Sequence, residues 1–98
     1  MYTLEQTPEF ETWFNGLRDK IIKNRLLARL ARVENGNFGD YKVLDSHIME
    51  LRMTFGGGLR VYYTQRGEKI ILLLQGGDKS SQQRDIEKAK YLISQLED

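Results

Sequence analysis

The chain has 98 residues, with 15 Lys and Arg against 14 Asp and Glu and a formal charge of +1, so its overall charge points neither toward nucleic acid nor away from it. That length predicts one domain over residues 1–98, with a single modest core and two packed layers. With no cysteine and one histidine, disulfides, thiolate metal sites and cysteine nucleophiles are excluded, and a zinc site has too few ligands.

The start, Met1-Tyr2-Thr3-Leu4-Glu5, lacks the basic opening and apolar run of a secretory signal. No stretch reaches the length of a bilayer span, so a soluble cytoplasmic protein is expected. Residues 2–6 form a short candidate strand. Thr7 then caps a helix with Pro8 in its first turn, and Phe10, Trp13, Phe14 and Leu17 recur at helical spacing, which makes them core residues.

A second helix is expected from about Lys20 to Glu34, ended by Asn35-Gly36. Ile22, Leu26, Leu30 and Val33 form its inner side, and the two helices pack as a hairpin on a sheet. From Arg18 to Arg32 six basic residues face one acid, Asp19, whereas the last fifteen residues carry slightly more acid than base, so one side should be electropositive. The stripe Arg25, Arg29 and Arg32 reads either as a solvated helix face or as a grip on nucleic-acid phosphates.

After a loop over 36–40, Tyr41-Lys42-Val43-Leu44 is a short strand broken by Asp45-Ser46. Two alternating segments follow, Met49 to Phe55 and Leu59 to Gln65, separated by Gly56-Gly57-Gly58, which is the pattern of a β-hairpin. Period two puts Met49, Leu51, Met53 and Phe55 on one face with Leu59, Val61 and Tyr63. Glu50, Arg52 and Thr54 share the other with Arg60, Tyr62 and Thr64. A three-glycine loop would set Thr54 opposite Arg60, Arg52 opposite Tyr62 and Glu50 opposite Thr64; an even loop length would mix the faces.

Arg66-Gly67-Glu68 is a turn, and the next strand, Lys69 to Gln75, is apolar through its middle, as expected of a strand covered on both faces. Gly76-Gly77-Asp78-Lys79 leaves that strand. Ser80 with Gln83 reads as a capping box for a last helix whose inner side is Ile86, Ala89, Ile93 and Leu96. Ser80 and Ser81 are therefore read as caps and not as nucleophiles.

The strings Asn37-Phe38-Gly39-Asp40, Glu50-Leu51-Arg52, Arg60-Val61-Tyr62-Tyr63 and Gly76-Gly77-Asp78-Lys79-Ser80-Ser81-Gln82 occur in the order strand, two helices, four strands, helix. In this they resemble the RelE/ParE superfamily of toxins from bacterial type II toxin–antitoxin modules, in the HigB-like branch. The resemblance implies a single α+β domain: an N-terminal strand, a helical hairpin on a mostly antiparallel sheet, and a C-terminal helix. It also implies a toxin held inactive by a small antitoxin, expected to carry a helix-turn-helix that binds the operator DNA. Once free, such a toxin cuts messenger RNA on the ribosome without metal or other cofactor.

In that chemistry the 2′-hydroxyl attacks the adjacent phosphate, and cations stabilise the charge on the phosphorane. By resemblance Arg60, Arg52 and Lys79 are the phosphate contacts. RelE has paired lysines on the strand that here carries Ile48 and Glu50, and a functional tyrosine where this chain has Ile86. Glu50, or Lys79 deprotonated beside two arginines, stands as proton acceptor, while Tyr62 orients the RNA or stacks on a base.

Bland readings stand beside these. Arg52 and Arg60 would solvate an open sheet face, Arg52 lying over Tyr62 or paired to Glu50 or Asp78. Lys79 would be an ordinary turn lysine, although it precedes a helix N-terminus where a phosphate is favoured. His47 precedes the strand and is not on its polar face. Three functions share the fold: the ribosome-dependent nuclease, a ParE-like inhibitor of DNA gyrase without enzymatic activity, and a non-toxic co-repressor. Arg60 with Lys79 favours the nuclease.

Overall fold

The computed structural model describes residues 1–96; Glu97 and Asp98, two of the acids counted in the C-terminal stretch, lie outside the described residues. The elements are β1 (Thr3–Gln6), α1 (Pro8–Asn15), α2 (Lys20–Glu34), β2 (Tyr41–Val43), β3 (Met49–Arg52), β4 (Arg60–Arg66), β5 (Ile70–Gly77), a 3-10 turn (Lys79–Ser81) and α3 (Gln82–Leu96). The five strands form one sheet in the order β1-β5-β4-β3-β2. Only β1 runs parallel to its neighbour, β5, and every other pairing is antiparallel.

Thr7 starts α1 as expected and does more than cap. Its hydroxyl oxygen accepts the Phe10 N–H at 3.0 Å and donates to the Leu74 carbonyl at 2.7 Å. A cap is worth about 1 kcal/mol; here the same atom also ties α1 to β5. Leu74 is the extra residue of a bulge, since Tyr62 pairs with Gln75 and Tyr63 with Leu73. Asp19 caps α2 by accepting the Ile21 and Ile22 N–H groups.

The sheet is covered on both sides, so the expected two layers are three. Phe10, Leu26, Leu30 and Val33 of α1 and α2 pack on Leu51, Met53, Val61, Tyr63, Ile71 and Leu73. On the other face Ala89 and Leu92 of α3, with Ile86, Ile93 and Leu96 beside them, pack on Ile48, Tyr62, Leu72 and Leu74. Each fully buried aliphatic side chain contributes roughly 1.5–3 kcal/mol. The reason is visible in β5: its apolar run has no polar side, so one helical layer leaves half of it wet. The chain is a single α+β domain.

The hairpin keeps the expected faces but not the expected register. Arg52 stands opposite Arg60 and Glu50 opposite Tyr62, two residues from the predicted pairing. The Met53 N–H donates to the Leu59 carbonyl, so the loop is Thr54–Gly58 and not the three glycines alone. Gly56, Gly57 and Gly58 have φ of 62°, 75° and 81°, a left-handed path that needs the two preceding residues to turn the chain. The loop length remains odd, which preserves the faces.

Two boundaries also move. Gly76 and Gly77 belong to β5, paired with Val61 and Arg60. The capping box ahead of α3 is formed by Asp78 and Ser81, not by Ser80 and Gln83, because the 3-10 turn inserts three residues before the helix proper.

Candidate functional site

Arg52 and Arg60 are direct partners on adjacent strands, both on the α3 side of the sheet. Like charges in that position repel, and Glu50, two residues before Arg52, supplies the compensating charge. Its carboxylate is 0 % exposed. Oε1 accepts from Arg52 Nε at 2.8 Å, Oε2 accepts from Gln82 Nε2 at 2.8 Å, and Arg60 Nε lies 4.0 Å from Oε2. Burial alone pushes this carboxyl's pKa up, but the hydrogen bonds, Arg52's first, outweigh it and hold the group below its ordinary value.

Lys79 joins the two arginines through the glycine loop. Its N–H reaches the Gly57 carbonyl at 3.4 Å, and Arg60 Nη1 donates to the Gly58 carbonyl at 3.1 Å. A Cβ placed on Gly58 would lie 3.3 Å from Lys79 Cβ and 3.5 Å from Arg60 Nη1. With no Cβ, Gly58 leaves room for both side chains to pack against the loop. Asp78 fixes the lysine's turn by accepting the Ser80 N–H at 2.9 Å, and its hydrogen bonds from Ser80, first of all that from the side chain, lower its pKa. Arg60 and Lys79 both border Gly58, with Arg52 opposite Arg60 on the neighbouring strand; cations gathered in this way are suited to an anion.

Several expected site residues sit elsewhere. Tyr62 is 0 % exposed beneath α3, so it is not available to stack on a base; burial, then the Glu50 charge, raise its phenol pKa above the ordinary range. Arg52 does not lie over it but pairs with Glu50. Glu50 itself is sealed from solvent with both oxygens engaged, which makes it a counter-ion that orients arginines and removes it as the proton acceptor for a 2′-hydroxyl. The arginine stripe on α2 is broken. Arg29 is 7 % exposed and donates to the carbonyls of Arg52, Phe38 and Asp40 at 2.7–2.8 Å. It therefore holds the backbone of β3 under Arg52 and cannot grip RNA.

Arg25 stays on the surface with its guanidinium 4.3 Å from the Phe55 ring centroid, and Arg32 is exposed in the last turn of α2. His47 is exposed in the turn before β3, its N–H bound to Asp45. Ser80 and Ser81 donate their hydroxyls to Asp78 and Asp85, contacts that belong to the capping turn ahead of α3.

Three features were not anticipated. Gln82 reaches Glu50, although the only sequence signal was its place at the end of the Gly-Gly-Asp-Lys-Ser-Ser-Gln string. Asp85 is buried on α3, where a Cβ on Gly77 would collide with its Oδ2. The Trp13 ring fills the equivalent space over Gly76. The paired glycines thus mark where two elements press on β5. An open cleft of about 600 Å³ runs past them, lined by Trp13, Arg18, Gln75, Arg84 and Asp85 among others.

The family of phage-derived Gp49-like proteins (DUF891) matches residues 12–94, a span that includes every cation of this cluster. A protein of Haemophilus influenzae, described only as uncharacterized, is 40 % identical over 93 residues, which cover 95 % of this chain and 94 % of the relative.

Proposed function

Because the chain belongs to the Gp49-like family of phage-derived proteins, whose match spans the whole cation cluster, we propose that it is the toxin of a type II toxin–antitoxin pair and cuts messenger RNA on the ribosome. The observation that carries this reading is the convergence of Arg60 and Lys79 on Gly58, with Arg52 alongside. A scissile phosphate seated there would meet cations on its non-bridging oxygens. The RNA 2′-oxygen forms a bond to phosphorus, the bond to the leaving 5′-oxygen breaks, and a cyclic phosphate results. The proton leaves the 2′-hydroxyl for an acceptor and one is returned to the 5′-oxygen. Arg60 and Lys79 would stabilise the phosphorane, and Lys79, exposed at the turn, would donate a proton to the leaving oxygen. The ribosome would hold the messenger in line, and a small antitoxin would cover the cluster.

The burial of Glu50 and Tyr62 favours a second reading. With the expected acceptor sealed, a non-enzymatic toxin that binds DNA gyrase in the ParE manner needs nothing further from this site. Mapping messenger 5′ ends in a reconstituted translation reaction separates the two. Cuts that require ribosomes and vanish with Arg60→Ala or Lys79→Ala support the nuclease. Intact messenger with undiminished protein synthesis rejects it, and gyrase supercoiling assays then test the alternative.

A further inference from the structure

Around Glu50 one buried carboxylate faces more donors than it serves. Arg52 takes Oε1 and Gln82 takes Oε2, each at 2.8 Å, while Arg60 Nε stops at 4.0 Å. That Nε is itself buried and has no hydrogen-bond partner among the described residues. An unpaired guanidinium N–H beside a carboxylate is a costly arrangement, since closing the gap would add a charge-assisted hydrogen bond. Something must hold the two apart.

We propose that Gln82 is a positioning residue: by anchoring Oε2 of Glu50 with a neutral donor, it keeps Arg60 out of a closed ion pair and so leaves its guanidinium free for an anionic ligand. The carboxylate is held at one oxygen by Arg52 and at the other by Gln82, which opposes its turning toward Arg60; the buried Tyr62 hydroxyl beside it has no hydrogen-bond partner among the described residues either. A neutral amide satisfies the oxygen without adding charge, whereas a closed pair with Arg60 would cancel the cation that the site needs. Gln82 is the first residue of α3 and follows directly on the turn that carries Lys79. The same turn therefore sets the lysine and the spacer. This inference rests on the reading that Arg60 meets phosphate.

The test compares wild type with Gln82→Met, which keeps the side-chain length and removes the donor, and with Gln82→Ser, which no longer reaches Glu50. The Arg60 Nε–Hε signal is followed by NMR, assigned by its loss in Arg60→Lys. Binding of a short single-stranded oligoribonucleotide is measured in parallel. In both variants the Hε resonance should move downfield and exchange more slowly with water as Glu50 closes on Arg60. RNA affinity should fall about tenfold, the worth of one charge-assisted hydrogen bond, with unfolding stability unchanged or raised. An unmoved Hε resonance in either folded variant overturns the inference, as does a shifted resonance with undiminished RNA affinity. If the resonance shifts but wild type itself binds no RNA, the spacer role of Gln82 stands and the nuclease reading fails.

Discussion

Arg52 and Arg60 face one another across the β3–β4 pair, with the buried carboxylate of Glu50 2.8 Å from the first and 4.0 Å from the second. Two cations would not be set side by side on a sheet without a counter-charge. Glu50 supplies it from the same face of the sheet, buried beside them.

Removing that counter-charge should be expensive. Glu50→Ala leaves Arg52 and the Gln82 amide without their acceptor and Arg60 without its nearby counter-charge, and loss of one member of a buried pair costs about 3–5 kcal/mol. Urea unfolding at neutral pH should show this loss with an unchanged slope. A change below about 1 kcal/mol would mean that solvent replaces the carboxylate, contrary to its sealed position.

The same group gives a pH dependence with a definite sign. Its folded pKa is depressed, so the unfolded chain binds more protons in acid. The stability it contributes is therefore complete above the ordinary glutamate value of about 4.3 and is lost as pH falls through the lower, folded value. The stability difference between wild type and Glu50→Gln should be flat from pH 7 to about pH 5 and should narrow below about pH 4. A gap that stays constant into strong acid would show that folding does not shift this carboxyl's pKa.

On α2 two arginines one turn apart should behave differently. Arg29→Met strands three carbonyls that now receive its guanidinium and should cost about 2–4 kcal/mol. Arg25→Ala gives up a surface stack on Phe55 and should stay within about 1 kcal/mol of wild type. Thermal unfolding of the two variants checks the contrast; equal losses would contradict the assigned roles.

The contact between Gly77 and Asp85 should appear as coupling. A methyl group on Gly77 meets the Asp85 carboxylate and the Ser81 hydroxyl, so Gly77→Ala should destabilise by about 1–3 kcal/mol. Asp85→Ala opens that space, and the double variant should recover at least about 0.5 kcal/mol of the sum of the single losses. Strict additivity would show that the helix, and not the carboxylate, resists the methyl.

Local rules were legible wherever a short stretch decided the outcome. Thr7 before Pro8, Asp19 before α2, the Ile22 to Val33 stripe and the alternation of β3 and β4 each follow from side-chain period or cap chemistry within a few residues. The alternation alone placed Glu50, Arg52, Arg60 and Tyr62 on one face, and the apolar run of β5 required cover on both sides. What alternation cannot contain is which face is open. Only the docking of α3 buried Tyr62 and Glu50, turning a candidate stacking residue and a candidate base into core and counter-ion. Only the left-handed path of the three glycines shifted the register by two and set Arg52 against Arg60. Arg29, one of three similar arginines in the sequence, became structural because a distant loop presented carbonyls to it. The cation cluster was thus written locally, as residue types on strands and a turn, while its exposure, pairing and charge balance came from contacts between residues far apart in the chain, whose energies no local pattern encodes.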